Sequence, residues 1–507
     1  MQSLLEYLLQ GEPRPRDSNP LELQWLGEAT DAQLDEFLKT LLDAKLTGNN
    51  EPALGEVFRY LIDRLRPWDA SNRRRLPATT VPLIVALYRR LGQASAARCH
   101  LLQLLAASAI PYELAEFANL VVEDPPCDAP SAMLAFGPLF QHTSYDPNAL
   151  FPKLLDGLAH QVVAASILDL ANFLFRHGLI DPHPGETRKE QLIELLGAVV
   201  GRLARMEEDP TEFAASPHEI AQQIGDAVAL AVALCDALAL IGDQEAVGKL
   251  YQALEVRHRR LHTEAAAALA RLGEDAGKDA LVALASEPVA RLRVLAYAEE
   301  LDLTDKLDEQ FTLPPARAEA ELALWLAQPS QMGLPPSQLE LIDSRTQHWP
   351  GYDEPVECFL FRFTYHLPTS DYSNVGIASP LTYAFGADLL DLPPDDIYAA
   401  FAGWHAEHED IFEMDAAALT EAQRLEVTRL ERRLRDHDYD SVQATILGMF
   451  LGDKVLVARA LREGHAGIAV IDEYEPIWFP LRNPSRPISS HEACCIYKGR
   501  RLLRAFN

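Results

Sequence analysis

Two glycines constrain this chain more than any other residues. Gly242 in the string LALIGD and Gly273 in LARLGED stand 31 residues apart, and each closes a run rich in alanine and leucine. A third step of the same length reaches Thr304 in LDLTD. A short run with one apolar stripe cannot bury that stripe alone, so recurrence at a fixed period predicts helix pairs stacked on their neighbours. The strings HRRLHTEAAAALARLG and VARLRVLAYAEELD share arginines followed by small apolar residues, and alanine allows helices to approach closely.

This pattern resembles the short HEAT-type repeats of phycobilisome-lyase-like and many other bacterial helical-repeat proteins, over residues 225–305 and three units. The resemblance implies an α-solenoid, which the earlier helices extend irregularly, and by analogy it would allow a chromophore-lyase role. Fold analogy alone does not license an activity.

The same grammar runs from the start of the chain to about residue 310. Apolar residues recur at three- and four-residue spacing between breaks at Gly, Pro, Asn or Asp, as in Leu34, Phe37, Leu38, Leu41 and Leu42. The spacing predicts helices at 31–46, 51–66, 79–91, 95–107, 112–122, 147–158, 161–176, 187–205 and 217–241. Linkers are expected at 123–130, 181–186 and 206–217. After Leu313 prolines punctuate the chain and period-2 segments appear. A strand hairpin is expected near 339–365, with its second strand apolar on both faces through Cys358, Leu360, Phe359, Phe361, Phe363 and Tyr365. Ser379-Pro380 reads as the cap and first position of a helix, another helix begins near Asp395, and a charged helix follows through 421–436, where Glu431 and Arg435 are spaced to pair. Strands are expected over 469–506, ending in a hairpin that turns at Lys498-Gly499. The fold class expected is therefore mainly α, an α-helical repeat region over 1–312 followed by a smaller α+β domain over 313–507.

Composition narrows the function classes. Against 75 acidic side chains stand 45 basic ones, a net charge of −30, and phosphate backbones are bound by local Lys or Arg that displace counterions. No nucleic-acid partner is expected. The N-terminal residues lack a basic start followed by a long apolar core, so no signal peptide is read. The longest apolar stretch, between Asp226 and Asp243, is broken by Asp236 before the roughly 20 residues that cross a bilayer, and no membrane partner is expected. Six scattered cysteines with no CxxC spacing fit reduced thiols in a cytoplasm; Cys494 and Cys495, read as strand residues, point to opposite faces. No cofactor and no metal are expected.

The candidate sites fall in the C-terminal region. In WHAEHED, His405 and His408 share a helix face with Glu407 between them, a spacing by which one helix can offer two ligands, yet the string matches neither HExxH nor HxxEH. Both histidines also fall on the stripe of Ile397, Ala400, Phe401 and Trp404, which assigns them to the core. Asn374 to Ser379 is read as a strand-to-helix loop, a usual place for a binding site, without the glycines of a P-loop or the GxSxG of a nucleophile elbow. Trp349 and Tyr352 sit at a turn with Asp353 and Glu354, either as interface anchors or as a lid on the hairpin. Arginine clusters at 73–75, 257–260 and 498–504 read as solvated or ion-paired surface, as does the acidic stretch 407–415. The leading expectation is a cytoplasmic, bacterial, non-catalytic scaffold or adaptor for another protein, a basic one by charge, with a regulatory or immunity-type binder as a special case. The rival is a metal-dependent or acid–base hydrolase or lyase centred on His405, Glu407 and His408.

Overall fold

A computed structural model describes residues 29–46, 50–65, 76–93, 95–108, 110–141, 143–213, 216–406, 412–415, 418–483 and 485–507, together with Leu4, Leu5, Leu8, Leu23, Trp25 and Leu26. The protein is mainly helical, with a C-terminal region of two antiparallel sheets. It divides into two compact units, Met1–Leu281 and Val282–Asn507. The division lies earlier than the change of sequence grammar near 313, because the helix at 314–326 packs on the sheet that follows it and the helix at 288–300 packs on that helix.

The first unit contains α1 (Asp31–Asp43), α2 (Glu51–Leu65), α3 (Val81–Arg90), α4 (Ala97–Ser108), α5 (Pro111–Glu123), α6 (Ala129–Gln141), α7 (Gln161–Arg176), α8 (Lys189–Glu208), α9 (Pro217–Ile241), α10 (Val247–Leu254) and α11 (Arg259–Arg271), with α12 (Asp275–Ala283) at its end. The local signals are ordinary. Thr30 and Gln33 form a capping box ahead of the stripe Leu34, Phe37, Leu38 and Leu41, all buried. Ser216 caps α9, Pro217 takes its first position, and Gly242 closes it with a φ of +79°. Two differences from expectation have simple causes. Residues 147–158 form short 3-10 turns rather than an α-helix, since Pro147 and Pro152 interrupt the backbone donors. The linker expected at 123–130 already contains the start of α6, whose apolar residues hide behind Pro125, Pro126 and Pro130.

Helices next but one in sequence lie side by side. Along one row α2 touches α4, α4 touches α6, and α7, α9 and α11 follow, while α8 lies beside α10 in a second row and packs against α9. Helix α9 is long and apolar enough to cross a membrane by composition. Here its residues Ala227 to Ala239 are largely buried among α7, α8 and α11. The one acid within that stretch, Asp236, is held by Arg176 from α7 and by Arg271 from α11 at 3.6 Å.

The second unit begins with α13 (Pro288–Glu300) and α14 (Pro314–Leu326), followed by β1 (Gln338–Gln347), β2 (Val356–His366), β3 (Asp371–Ala378), β4 (Tyr383–Ala384) and α15 (Pro394–His405). Then come β5 (Phe412–Asp415), α16 (Glu421–Asp436), β6 (Tyr439–Phe450), β7 (Asp453–Arg462), β8 (His465–Ile471), β9 (Ile477–Pro480) and α17 (Ser490–Phe506). The sheets run β1-β2-β3-β4 and β5-β6-β7-β8-β9, each pair antiparallel. Strand β2 is covered on both sides as its sequence predicts: Phe359, Phe361, Phe363 and Tyr365 pack with Leu322 and Leu326 of α14, while Cys358 and Leu360 face the core that includes α15. Glu431 and Arg435 pair at 3.1 Å.

Two expectations fail in this unit. The hairpin expected at 493–506 is the single helix α17, begun by a Ser489–Glu492 capping box. An apolar run such as ACCIY has no period of its own, and burial on all sides makes helix and strand look alike. No helix follows Ser379 either. Its backbone turns left-handed at φ +49°, whereas an N-cap requires an extended one, and the chain continues into β4.

An internal duplication organises the unit. Each half reads helix, four antiparallel strands, helix: α14, β1 to β4, α15, and then α16, β6 to β9, α17. Helices α14 and α16 cover the outer faces of their sheets, and α15 and α17 pack on each other between them. Their crossing follows the same repeat. Gly403 of α15 lies on the backbone of Cys495, and Gly499 of α17 lies on the backbone of Ala399. Ala399 and Gly403 thus correspond to Cys495 and Gly499, each pair 96 residues apart.

Candidate functional site

The first sheet's β1–β2 turn, the β3–β4 connection and the C-terminal end of α15 meet in one place. Trp349 is buried at 1% exposure, and its Nε1–H donates to Nδ1 of His405 at 2.7 Å. That bond places the remaining ring proton of a neutral His405 on Nε2. Tyr352, from the same turn, stays 43% exposed and donates its hydroxyl to the carbonyl of Pro380, the residue after Ser379. Beside them Tyr383 stacks on Trp404 with ring centroids 3.8 Å apart, and Trp325 lies tilted against Tyr383 at 5.4 Å. Trp349, Tyr352, Ser379 and His405 are therefore neighbours, although their strings lie up to about 55 residues apart.

Asn374 serves this region from within β3. Its Nδ2 donates to the carbonyls of Phe385 and Ala387 at 3.2 and 3.0 Å, and its Oδ1 accepts from the Leu389 amide at 3.3 Å. These bonds pin the 385–389 connection against the sheet. Glu407, His408 and Arg73 to Arg75 lie outside the described residues, as does most of the acidic stretch 407–415. Among the described residues no group of three or more His, Cys, Asp or Glu side chains is placed to hold a metal ion.

A cleft of about 300 Å³ opens next to Trp349, where β1 passes the N-terminal half of α15 and the C-terminal half of α17. Arg345, Gln347, Asp395, Tyr398, Arg500 and Arg504 line it, with Leu503 and Asn507. Arg345 is fixed on three sides. Its Nε donates to Asp343 at 2.7 Å, its Nη1 donates to Asp395 at 2.6 Å, and its plane lies 4.6 Å from the centre of the Tyr398 ring. The Tyr398 hydroxyl in turn donates to the Cys358 carbonyl at 3.3 Å. Arg500 binds Asp396 through Nε, at 2.8 Å, and through Nη2. Asp396 is wholly buried and its Oδ2 has no hydrogen-bond partner among the described residues. Burial raises its carboxyl to about 6 despite the guanidinium beside it.

The expectation of a turn and strand over 498–504 hides this cleft, which needs those residues on a helix. On a helix, Arg500 and Arg504 are four apart and share a face; that spacing was the available signal.

The thiols are arranged for packing. Of the six cysteines, Cys127 is exposed and the rest are buried. Burial pushes Cys495 up to about 12 and both Cys99 and Cys358 to about 11, away from the thiolate range that reactive cysteines need.

In the first unit a groove of about 480 Å³ lies between α8 and α10, floored by the buried Val200 and Val256 and edged by the exposed Ala204, Glu207, Glu208, Glu255 and Arg257. Arg257, from the second arginine cluster, donates its backbone N–H to Glu207 at 2.9 Å. The third charged region bridges α7, α9 and α11. There Asp169 is raised to about 6, chiefly by desolvation and further by Asp236 and Glu264, while Arg260 opposes the shift.

The chain matches no protein-family model, no curated protein and no solved structure. Fold and site together define a two-unit protein, a helical unit of side-by-side helices and a duplicated α+β unit.

Proposed function

We propose that this chain is a non-catalytic protein-binding scaffold or adaptor, acting in the cytoplasm, whose helical unit is a HEAT-like stack that receives a basic protein. The observation that carries the reading is the groove between α8 and α10, with three glutamates on its rim and an apolar floor. A cationic segment laid there would satisfy the rim carboxylates and cover the exposed Ala204 beside them. The shared carboxylate of Asp236, bridged from α7 and α11, supports the stack, because it ties three successive helices of one row together. A regulatory or immunity-type role follows if the partner is a basic effector that the stack blocks. The rival catalytic reading has less behind it, since His405 is engaged by Trp349.

A capture experiment from native lysate at low and moderate salt tests the proposal, comparing the native chain with the double variant Glu208→Lys, Glu255→Lys. Both residues are exposed. The expected result is one or more basic proteins recovered by the native chain at low salt, reduced at moderate salt and lost with the variant. Equal recovery by the two chains, or recovery of nothing above background, refutes it.

A further inference from the structure

We propose that the cleft between β1, α15 and α17 binds a small phosphate-bearing anion. Three guanidinium groups line it, with Asp395 the one carboxylate in the lining, while Asp343, Asp396 and Glu475 pair the same arginines from beside it. Their charges are not equally spent. Asp343 and Asp395 clamp Arg345, and Asp396 engages Arg500 through Nε and Nη2, so both arginines are oriented by these carboxylates. Arg345 gives Nε and Nη2 to Asp343 and Nη1 to Asp395, so it serves mainly as the wall of the cleft, whereas the pairing of Arg500 with Asp396 leaves its Nη1 group outside that contact. Arg504 is the reserve of charge. It is 59% exposed, and its nearest carboxylate, Glu475, is 3.8 Å away, beyond hydrogen-bond distance.

Phosphate fits this arrangement better than a monovalent carboxylate. It brings close to two negative charges and several acceptor oxygens, and its tetrahedral oxygens can meet donors arriving from both the strand and the helix. About 300 Å³ is room for a small phosphorylated molecule.

The duplication supplies an internal comparison. The residue after Gly499 is Arg500, but the residue after the corresponding Gly403 is Trp404, and Cys494 stands where the first half has Tyr398. The arginines and the ring that backs Arg345 are therefore specific to one of the two related positions. They are not a by-product of the helix crossing.

The test titrates the full chain, at constant ionic strength set with chloride, with inorganic phosphate and separately with glycerol 3-phosphate, followed by calorimetry and phosphorus NMR line width. The variants are Arg504→Gln and, as a control, Arg435→Gln, a comparably exposed arginine on α16. Saturable one-to-one binding of either probe is expected, weakened about tenfold or more by Arg504→Gln, the size of one charge-assisted hydrogen bond, and unchanged by Arg435→Gln. Tighter binding of glycerol 3-phosphate would assign the site to a phosphomonoester, and equal binding would assign it to free phosphate. No saturation with either probe into the millimolar range overturns the proposal, as does binding that Arg504→Gln leaves intact.

Discussion

Replacing Gly499 by alanine inverts an ordinary rule. In a helix interior the exchange normally gains about 1 kcal/mol, because alanine loses less backbone freedom on folding. At this position the new methyl group would fall closer than 3.0 Å to the carbonyl carbon, oxygen and Cα of Ala399. At Gly403 it would lie 2.8 Å from the Cys495 carbonyl carbon and 3.0 Å from its Cα, where ordinary contact begins near 3.4 Å. These are backbone atoms, which cannot rotate aside. The helices must part by about 1.5 Å or more, and a gap of only 0.5–1 Å already forfeits a quarter to half of each neighbouring dispersion contact. Overpacking of this kind costs about 1–3 kcal/mol, and backbone against backbone belongs at the upper end. Allowing for the propensity gain, Gly499→Ala should destabilise the second unit by about 2 kcal/mol. With a urea slope of about 3 kcal/mol/M, the midpoint falls by roughly 0.7 M. Fluorescence reports on this unit through Trp325, Trp349, Trp404 and Trp478. Because Gly403→Ala forces the same crossing apart, the double variant should cost less than the sum of the two. The control is Gly225→Ala in α9, which has open space around it and should gain up to about 1 kcal/mol. A midpoint that stays or rises with Gly499→Ala would refute the close crossing.

Four further outcomes follow. Asp396 has its folded-state pKa raised from 3.8 to about 6, so between those values the native state holds a proton that the unfolded state has lost; stability of the second unit should fall as pH rises from about 4 to about 6, and Asp396→Asn should flatten that dependence in urea titrations. Asp236→Asn removes an acceptor shared by two arginines and should cost the first unit about 1–3 kcal/mol; it should also bring Asp169 below about 6, measured by carboxyl carbon NMR, because the Asp236 charge is one of the groups raising it. His405→Ala strands the buried Trp349 N–H, for about 1–3 kcal/mol, seen as a lowered urea midpoint. Ellman's reagent should titrate about one thiol quickly in the native chain and none in Cys127→Ser, since the other five are buried.

Helices carried on a single apolar stripe were legible in the sequence. The bounds 161–176 and 217–241 match α7 and α9 to the residue, because each has a clean break at both ends. Strand β2 was legible through its alternating phenylalanines. Strands β6 and β7 were not, although Leu451-Gly452 and Glu463-Gly464 are two-residue turns with both φ angles positive and mark two hairpins. A leucine or glutamate at the first turn position conceals them, since Asn or Asp is the usual residue there. Helix α17 was hidden for a related reason: Gly499 looked like a turn residue and is instead a contact residue. The neighbourhood of Trp349, Tyr352, Ser379 and His405 was legible as separate strings, but their convergence depends on strand pairing. Arg345 could be joined to Arg500 only by tertiary structure.

The shared layer of α15 and α17 has a consequence for how the chain acquires its shape during synthesis. Helix α15 emerges with its Ala399 and Gly403 face bare, and the surface that covers it is made about 85 residues later. At the roughly 5–20 residues per second of translation, that is an interval of several seconds. Throughout it the first sheet has its outer helix and lacks half of its inner layer. The second unit therefore cannot mature half by half, despite its duplicated plan, and a nascent chain halted between the halves should be the species most open to chaperones and proteases.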